Sequence, residues 1–303
     1  MSGAGRFLLV AWAAVFLVTA SRAFAADERV VIGSKGFPES WILGEVVAAR
    51  VRAAGAEAVQ RRNLGGTEIV FEALRTGAID VYAEYTGTIA EVILKATDRP
   101  PLATIRDRMA SLGIGVGEPL GFNDGYAIAT RHSIADTLPS ATVSALATRT
   151  GLRGGFTHEF LARQDGYEGL AARYGLHLSS VRGMEHALAY AAMASGAIDL
   201  MEVYTTDAQV ARQDLVLLDD DRNYFQRYDA VLLYRLDLPA RAPRAFARLS
   251  TLSSKIDAAA MTRANARVVL DHAAPDQAAA ELLRDTLGDD GGAQTASKRS
   301  VAL

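Results

Sequence analysis

The segment Thr76–Thr86, TGAIDVYAEYT, returns as SGAIDLMEVYT at Ser195–Thr205 at a constant offset of 119 residues, and Phe71 and Tyr190 keep the same offset. In each copy a glycine (Gly77, Gly196) closes a helical pattern, Ala-Ile-Asp opens a short strand, and a Tyr-Thr pair stands at its carboxyl end. A chain that repeats one strand so far apart is most simply built as two similar α/β lobes. Open parallel sheets bind ligands at the carboxyl ends of their strands, so Tyr85 and Tyr204 fall on equivalent edges.

Apolar stretches alternate with helical patterns around the first copy. Val30 to Ile32 reads as a strand ending at Gly33, Pro38 opens a helix closed by Gly55, and Ala58 to Gln60 is a second strand. Thr67 is placed to cap a helix running through Leu74, and Ile79 to Tyr82 is a third strand. The pattern predicts lobe 1 from 27–122 plus 226–288 and lobe 2 from 123–225, with crossings near Gly121 to Asn123 and Tyr224 to Gln226. Residues 243–287 are helical in pattern, Pro275 opens the last helix, and the polar segment 289–303 is expected to be a disordered tail.

The first 25 residues read as an export signal: Arg6, a 14-residue apolar run from Phe7 to Ala20, and Ala23-Phe24-Ala25 as cleavage site. The run is shorter than the ~20 residues that span a bilayer, so the expectation is a periplasmic protein starting at Ala26 without an anchor.

Composition removes several classes. With 32 basic and 35 acidic residues and no long basic run, no nucleic-acid partner is expected. No cysteine is present, which excludes thiol catalysis, cysteine-bound zinc and iron–sulfur clusters. His132, His158, His177, His186 and His272 form no H-x-x-x-H pair and have no obvious carboxylate partner, so neither metal nor cofactor is expected. A nucleophile elbow, a dinucleotide fingerprint and a P-loop are missing. Asp80, Glu84, Asp199 and Glu202 could pair as acid and base; capping or salt-bridging roles are the expectation. The overall pattern is that of a hinged binding protein, not an enzyme.

The stretches VIGSKGFPESWILGEVVA, NLGGTEIVFEALRTGAIDVYAEYTGT, GFNDGYAIA, HEFLARQDGYEGL, VYTTDAQ and YFQRYDAVLLY, in this order, resemble the substrate-binding proteins of osmoprotectant ABC importers. The resemblance implies a two-lobed periplasmic binding protein fold of type II, each lobe a sheet flanked by helices, with a hinge between them. It implies a quaternary-ammonium ligand such as glycine betaine, proline betaine, choline or carnitine. The partners implied are an inner-membrane permease and a cytoplasmic ATPase, with the binding protein itself a monomer. It also implies site residues: a tyrosine box at Tyr85, Tyr126, Tyr204 and Tyr228, and a carboxylate grip at Lys35, Thr88 and Arg163.

The chemistry agrees with that implication. A quaternary ammonium cannot donate a hydrogen bond, so it is held by the negative faces of aromatic rings. Lys35 lies in the loop before the helix opened by Pro38, where free amides already favour an anion. Arg163 would add a two-pronged clamp. Two unpaired cations favour a zwitterion over choline. Gln226-Arg227 replaces a Pro-Pro pair of the family before Tyr228, leaving Arg227 either to point outward or to repel a cationic ligand. The competing reading is a dehydratase-like periplasmic enzyme on the same scaffold, acting on a small carboxylate.

Overall fold

The computed structural model describes residues 28–288. The expected export signal and tail lie outside the described residues. Ten strands among those described are β1 (Arg29–Gly33), β2 (Glu57–Arg61), β3 (Val81–Tyr85), β4 (Ile114–Val116), β5 (Tyr126–Arg131), β6 (Arg153–Thr157), β7 (Ser180–Met184), β8 (Leu200–Tyr204), β9 (Leu215–Leu218) and β10 (Ala230–Arg235). They form two five-stranded sheets, β2-β1-β3-β10-β4 and β7-β6-β8-β5-β9. In the first, β1 runs parallel to β2 and β3 while β10 is antiparallel to β3 and β4. The second repeats this with β6 parallel to β7 and β8, and β5 antiparallel to β8 and β9. The two echoed strands, β3 and β8, are therefore the central strands of equivalent mixed sheets.

Both copies enter their strand in the same way. Asp80 donates its amide to the Val31 carbonyl and accepts the Val31 amide on its carboxylate at 2.7 Å. Asp199 does the same to Arg153, at 2.7 and 3.0 Å. Arginines then neutralise each acid: Arg241 on Asp80 at 2.6 Å, and Arg131 and Arg153 on Asp199, each at 2.8 Å. These two echoed acids are clamps between neighbouring strands. Their use of the preceding residues moves the start of the third strand from the expected Ile79 to Val81 and carries it through to Tyr85.

Thr67 does not cap its helix as expected. The helix is Thr67–Arg75, Gly66 holds the cap position, and the buried Thr67 hydroxyl has no hydrogen-bond partner. Pro38 and Pro275 do open helices, Pro38–Ala53 and Pro275–Leu287. Helices Pro243–Ser250, Ala258–Val269 and Pro275–Leu287 all pack on Pro38–Ala53. That surround explains why Pro38–Ala53 buries residues on most of its circumference instead of along one stripe.

The chain passes from the first sheet to the second through residues 117–125 and returns through 219–229. The two passages pair with each other: Asn123 bridges Asp229 in antiparallel fashion, and the Asp124 amide donates to the Tyr228 carbonyl at 3.0 Å. Tyr126 and Tyr228 thus flank the strand switches at the floor of the cleft. Among the described residues no helix is long and apolar enough to cross a membrane.

Candidate ligand-binding site

A cavity of about 440 Å³ opens between the two sheets, and Lys35, Thr88 and the four expected tyrosines all line it. Tyr126 is its centre, 5.4 Å from the Tyr204 ring and 5.3 Å edge-on from the Tyr228 ring. Phe37, from the loop before the Pro38–Ala53 helix, stacks 6.1 Å from Tyr204 and adds a ring the sequence reading did not assign. Tyr85 faces the cavity from the carboxyl end of β3. Gly87 is glycine for a steric reason, since a Cβ there would sit 2.5 Å from Cε1 of Tyr228. The four rings border one volume, and aromatic ring faces hold a cation without hydrogen bonds.

The ring hydroxyls are anchored by acids. Tyr85 donates to Glu39 Oε1 at 2.6 Å, and Tyr228 donates to Asp165. Glu39 Oε2 accepts from Thr206 Oγ1 at 2.6 Å and from Asn265 Nδ2 at 2.7 Å, while the same Thr206 oxygen lies 2.7 Å from Asp124 Oδ1. A hydroxyl carries one proton, so Thr206 donates to one carboxyl and accepts from the other, and the buried Glu39–Asp124 pair holds a proton between them. Burial pushes both acids above the usual carboxylate range, and each is raised further by a neighbouring acid: Asp207 for Glu39, Glu39 for Asp124. These contacts join the amino end of Pro38–Ala53, a crossing segment, the loop after β8 and the helix Ala258–Val269.

The expected cationic clamp is differently arranged. Lys35 Nζ is already bound to Glu84 Oε1 at 2.6 Å, with side-chain exposures of 7% and 0%. Arg163 forks onto Asp165 through Nε and Nη2, both at 2.7 Å, and Nη2 also donates to Tyr228 at 3.0 Å. Its guanidinium sits 5.5 and 5.6 Å from the Tyr126 and Tyr228 ring centroids, beside the cage. Both charges are compensated inside the protein, so the argument that two unpaired cations select a zwitterion does not stand. Of the family departures, Arg227 points outward: its side chain is 77% exposed and pairs with Asp229. Gln226 donates to Glu91 at 2.9 Å.

One group was missed. His186, read as having no carboxylate partner, bonds Asp207 Oδ2 through Nε2 at 2.8 Å and lies 4.8 Å from the Tyr204 ring. The same Asp207 oxygen accepts the Tyr204 amide at 2.9 Å and the Tyr190 hydroxyl at 2.8 Å. Burial disfavours the imidazolium, but the Asp207 hydrogen bond and charge outweigh it and hold the ring above its ordinary value. Glu202, two residues before Tyr204, accepts the Thr157 amide at 2.7 Å; burial, against the opposing pull of Thr157 and the His186 charge, pushes its carboxyl up to about 7. No signal within 21 residues of chain separation could have paired His186 with Asp207. Among the described residues no cluster of three metal-binding side chains occurs.

The fold agrees with what is found in known proteins. Residues 28–285 match the model of the substrate-binding domain of ABC-type glycine betaine transport systems. The chain belongs to this family. It is 31% identical to the glycine-betaine-binding protein of Pseudomonas aeruginosa over 94% of this chain and 96% of that one. It is also 31% identical to the ergothioneine transport permease/ergothioneine binding protein of Helicobacter pylori, over 91% of this chain, which spans about half of that protein's length (50%). A crystal structure of a glycine betaine/carnitine/choline ABC transporter superposes with a TM-score of 0.71 at 26% identity, over 84% of this chain and 98% of that chain. The protein is thus a two-lobed substrate-binding component of this class of ABC importer, and the relatives named here are binding proteins of transport systems.

Proposed function

We propose that the protein captures a small quaternary-ammonium solute in the cavity between Tyr85, Tyr126, Tyr204 and Tyr228 and hands it to an inner-membrane permease driven by a cytoplasmic ATPase. The observation that carries this reading is the convergence of those four rings, from both sheets and the returning crossing, on one cavity. Lobe 1 would comprise 27–122 and 226–288 and lobe 2 123–225, closing about the paired crossings. The protein would act as a periplasmic monomer after loss of residues 1–25.

Four ring faces at about 0.5–2 kcal/mol each give about 2–8 kcal/mol gross. Micromolar affinity corresponds to about 8 kcal/mol net of association costs, so the cage needs help. Lys35, Thr88 and Arg163 border the cage and are the groups we assign to a ligand carboxylate. Lys35 and Arg163 must share themselves between that carboxylate and Glu84 or Asp165. Because those partners already satisfy the cations, choline is an allowed ligand alongside the betaines.

Isothermal titration calorimetry with glycine betaine, proline betaine, carnitine, choline and unmethylated glycine tests the reading. At least one trimethylated solute should bind at micromolar or better affinity and be recovered unchanged, with no binding of glycine. Binding of glycine as tightly as its trimethylated form, or turnover of the ligand, contradicts it.

A further inference from the structure

Glu39 joins the carboxyl ends of the two echoed strands. Its Oε1 accepts from the hydroxyl of Tyr85, the last residue of β3, and its Oε2 lies 2.6 Å from the hydroxyl of Thr206, two residues beyond the end of β8. Glu39 stands on the helix Pro38–Ala53, which packs against the first sheet, and Asn265 on the helix Ala258–Val269, which packs on Pro38–Ala53. Thr206 and Asp124 adjoin β8 and β5 of the second sheet. Contacts among these four residues therefore form a seam between the lobes, and each of them is at most 6% exposed.

Closing this seam requires a proton. Thr206 Oγ1 lies within hydrogen-bond distance of a Glu39 oxygen and of an Asp124 oxygen and carries a single hydrogen, so one of the two contacts needs a proton on a carboxyl. The Asn265 side chain donates to Glu39 and the Thr206 backbone amide to Asp124, and neither supplies the missing hydrogen. The titratable groups that face the two acids are Tyr85, backed by the Lys35–Glu84 pair, from the first lobe, and Asp207, with His186 and Tyr190 bound to it, from the second. Among the described residues no cation is bound to either acid, and the Asp207 charge opposes ionisation of both. Separated and hydrated, two such carboxyls are both ionised near neutral pH.

We propose that Glu39 and Asp124 form a proton-holding latch between the lobes, so that closure on a solute takes up one proton, and that Glu39 is a positioning residue that passes this closure to the cage through the Tyr85 hydroxyl. The proposal deepens the tyrosine-cage reading and rests on it. The closed lobes hold a proton that the open lobes release near neutral pH, so solute affinity is full at low pH and falls as pH rises, by up to about 10-fold per unit. Glu202 and His186 titrate beside Tyr204, where a bound cation drives protons off. Their contribution has the opposite sign and is common to wild type and latch variants.

The test is calorimetric titration of wild type, Glu39→Gln and Asp124→Asn with glycine betaine and with choline at about pH 6.5, in buffers of different ionisation enthalpy, which counts the protons taken up per solute bound. Neither solute titrates near that pH, so the count belongs to the protein. Each amide can donate to Thr206 where the carboxyl needed a proton, and thermal melts check that both variants fold. Wild type should take up about one proton more than either variant, and its affinity between about pH 6 and 8 should fall more steeply than theirs. Equal proton counts in all three proteins overturn the latch and leave the cage intact, as does a loss of affinity in the variants that is the same at every pH. No binding of either solute by wild type overturns the cage reading and the latch together.

Discussion

The two copies of the repeated strand deliver a tyrosine to the cleft by the same backbone device and then differ in how the acid beside it is treated. In the first sheet Glu84 is fully buried and bound to Lys35 at 2.6 Å. In the second, Glu202 is equally buried but meets only the Thr157 amide, and its second oxygen has no partner. Tyr85 is tied through its hydroxyl to Glu39, whereas Tyr204 is tied through its amide to Asp207 and backed by the His186 ring. Repetition therefore fixes where the rings stand, and the unrepeated charges decide how the acid on each side of the cleft is compensated.

The largest expected effect separates the two acids. Lys35→Met strands a buried carboxylate and should lower stability by about 3 to 5 kcal/mol in denaturant melts, most of which Lys35→Met/Glu84→Gln should restore. Glu202→Gln removes a buried charge to which no cation is hydrogen-bonded and should raise stability at pH 8. The same sign for both substitutions would break the comparison.

A pH dependence follows for the second sheet. The folded Glu202 carboxyl, at about 7, lies above its ordinary 4.5, so the folded state binds more protons than the unfolded one between those values. Stability from this group is complete below about pH 4.5 and falls as pH rises through about 7, by about 3 kcal/mol. In melts from pH 4.5 to 8, Glu202→Gln should flatten that fall.

Ring removal probes the shared feature. Tyr85→Ala and Tyr204→Ala should each weaken tetramethylammonium binding by about 0.5–2 kcal/mol, roughly 2- to 30-fold, in calorimetric titrations. A loss confined to one of them would mean that only one lobe contributes a face. The smallest effect concerns the hydroxyls. Tyr85→Phe removes the donor to Glu39 Oε1 and should cost about 1 kcal/mol of stability, while Tyr204→Phe, whose hydroxyl bonds no described residue, should be close to neutral in the same melts.

The features legible in the sequence are those that local pattern controls. The echo located β3 and β8 and placed Tyr85 and Tyr204 at their ends, because a strand's period and its glycine-closed helix are written in a dozen consecutive residues. Lys35 was recognisable as a loop cation, but its partner Glu84 lies 49 residues away on another strand. The Glu39–Thr206–Asp124 junction, with Asn265, gathers four distant segments that nothing but the closed arrangement of both lobes brings together. His186 was passed over for the same reason, since its meaning comes from Asp207 across a helix and a strand. Thr67 shows the opposite error: a residue with capping chemistry sits one position inside the helix, so its hydroxyl is buried without a partner instead of capping the helix end.

The most direct test of the tyrosine cage is a crystal structure of the protein with the tightest-binding solute of the titration panel. The account predicts its quaternary nitrogen among the faces of Tyr85, Tyr126, Tyr204 and Tyr228, with the lobes joined through Glu39, Thr206 and Asp124. A quaternary nitrogen seated away from those rings would contradict it.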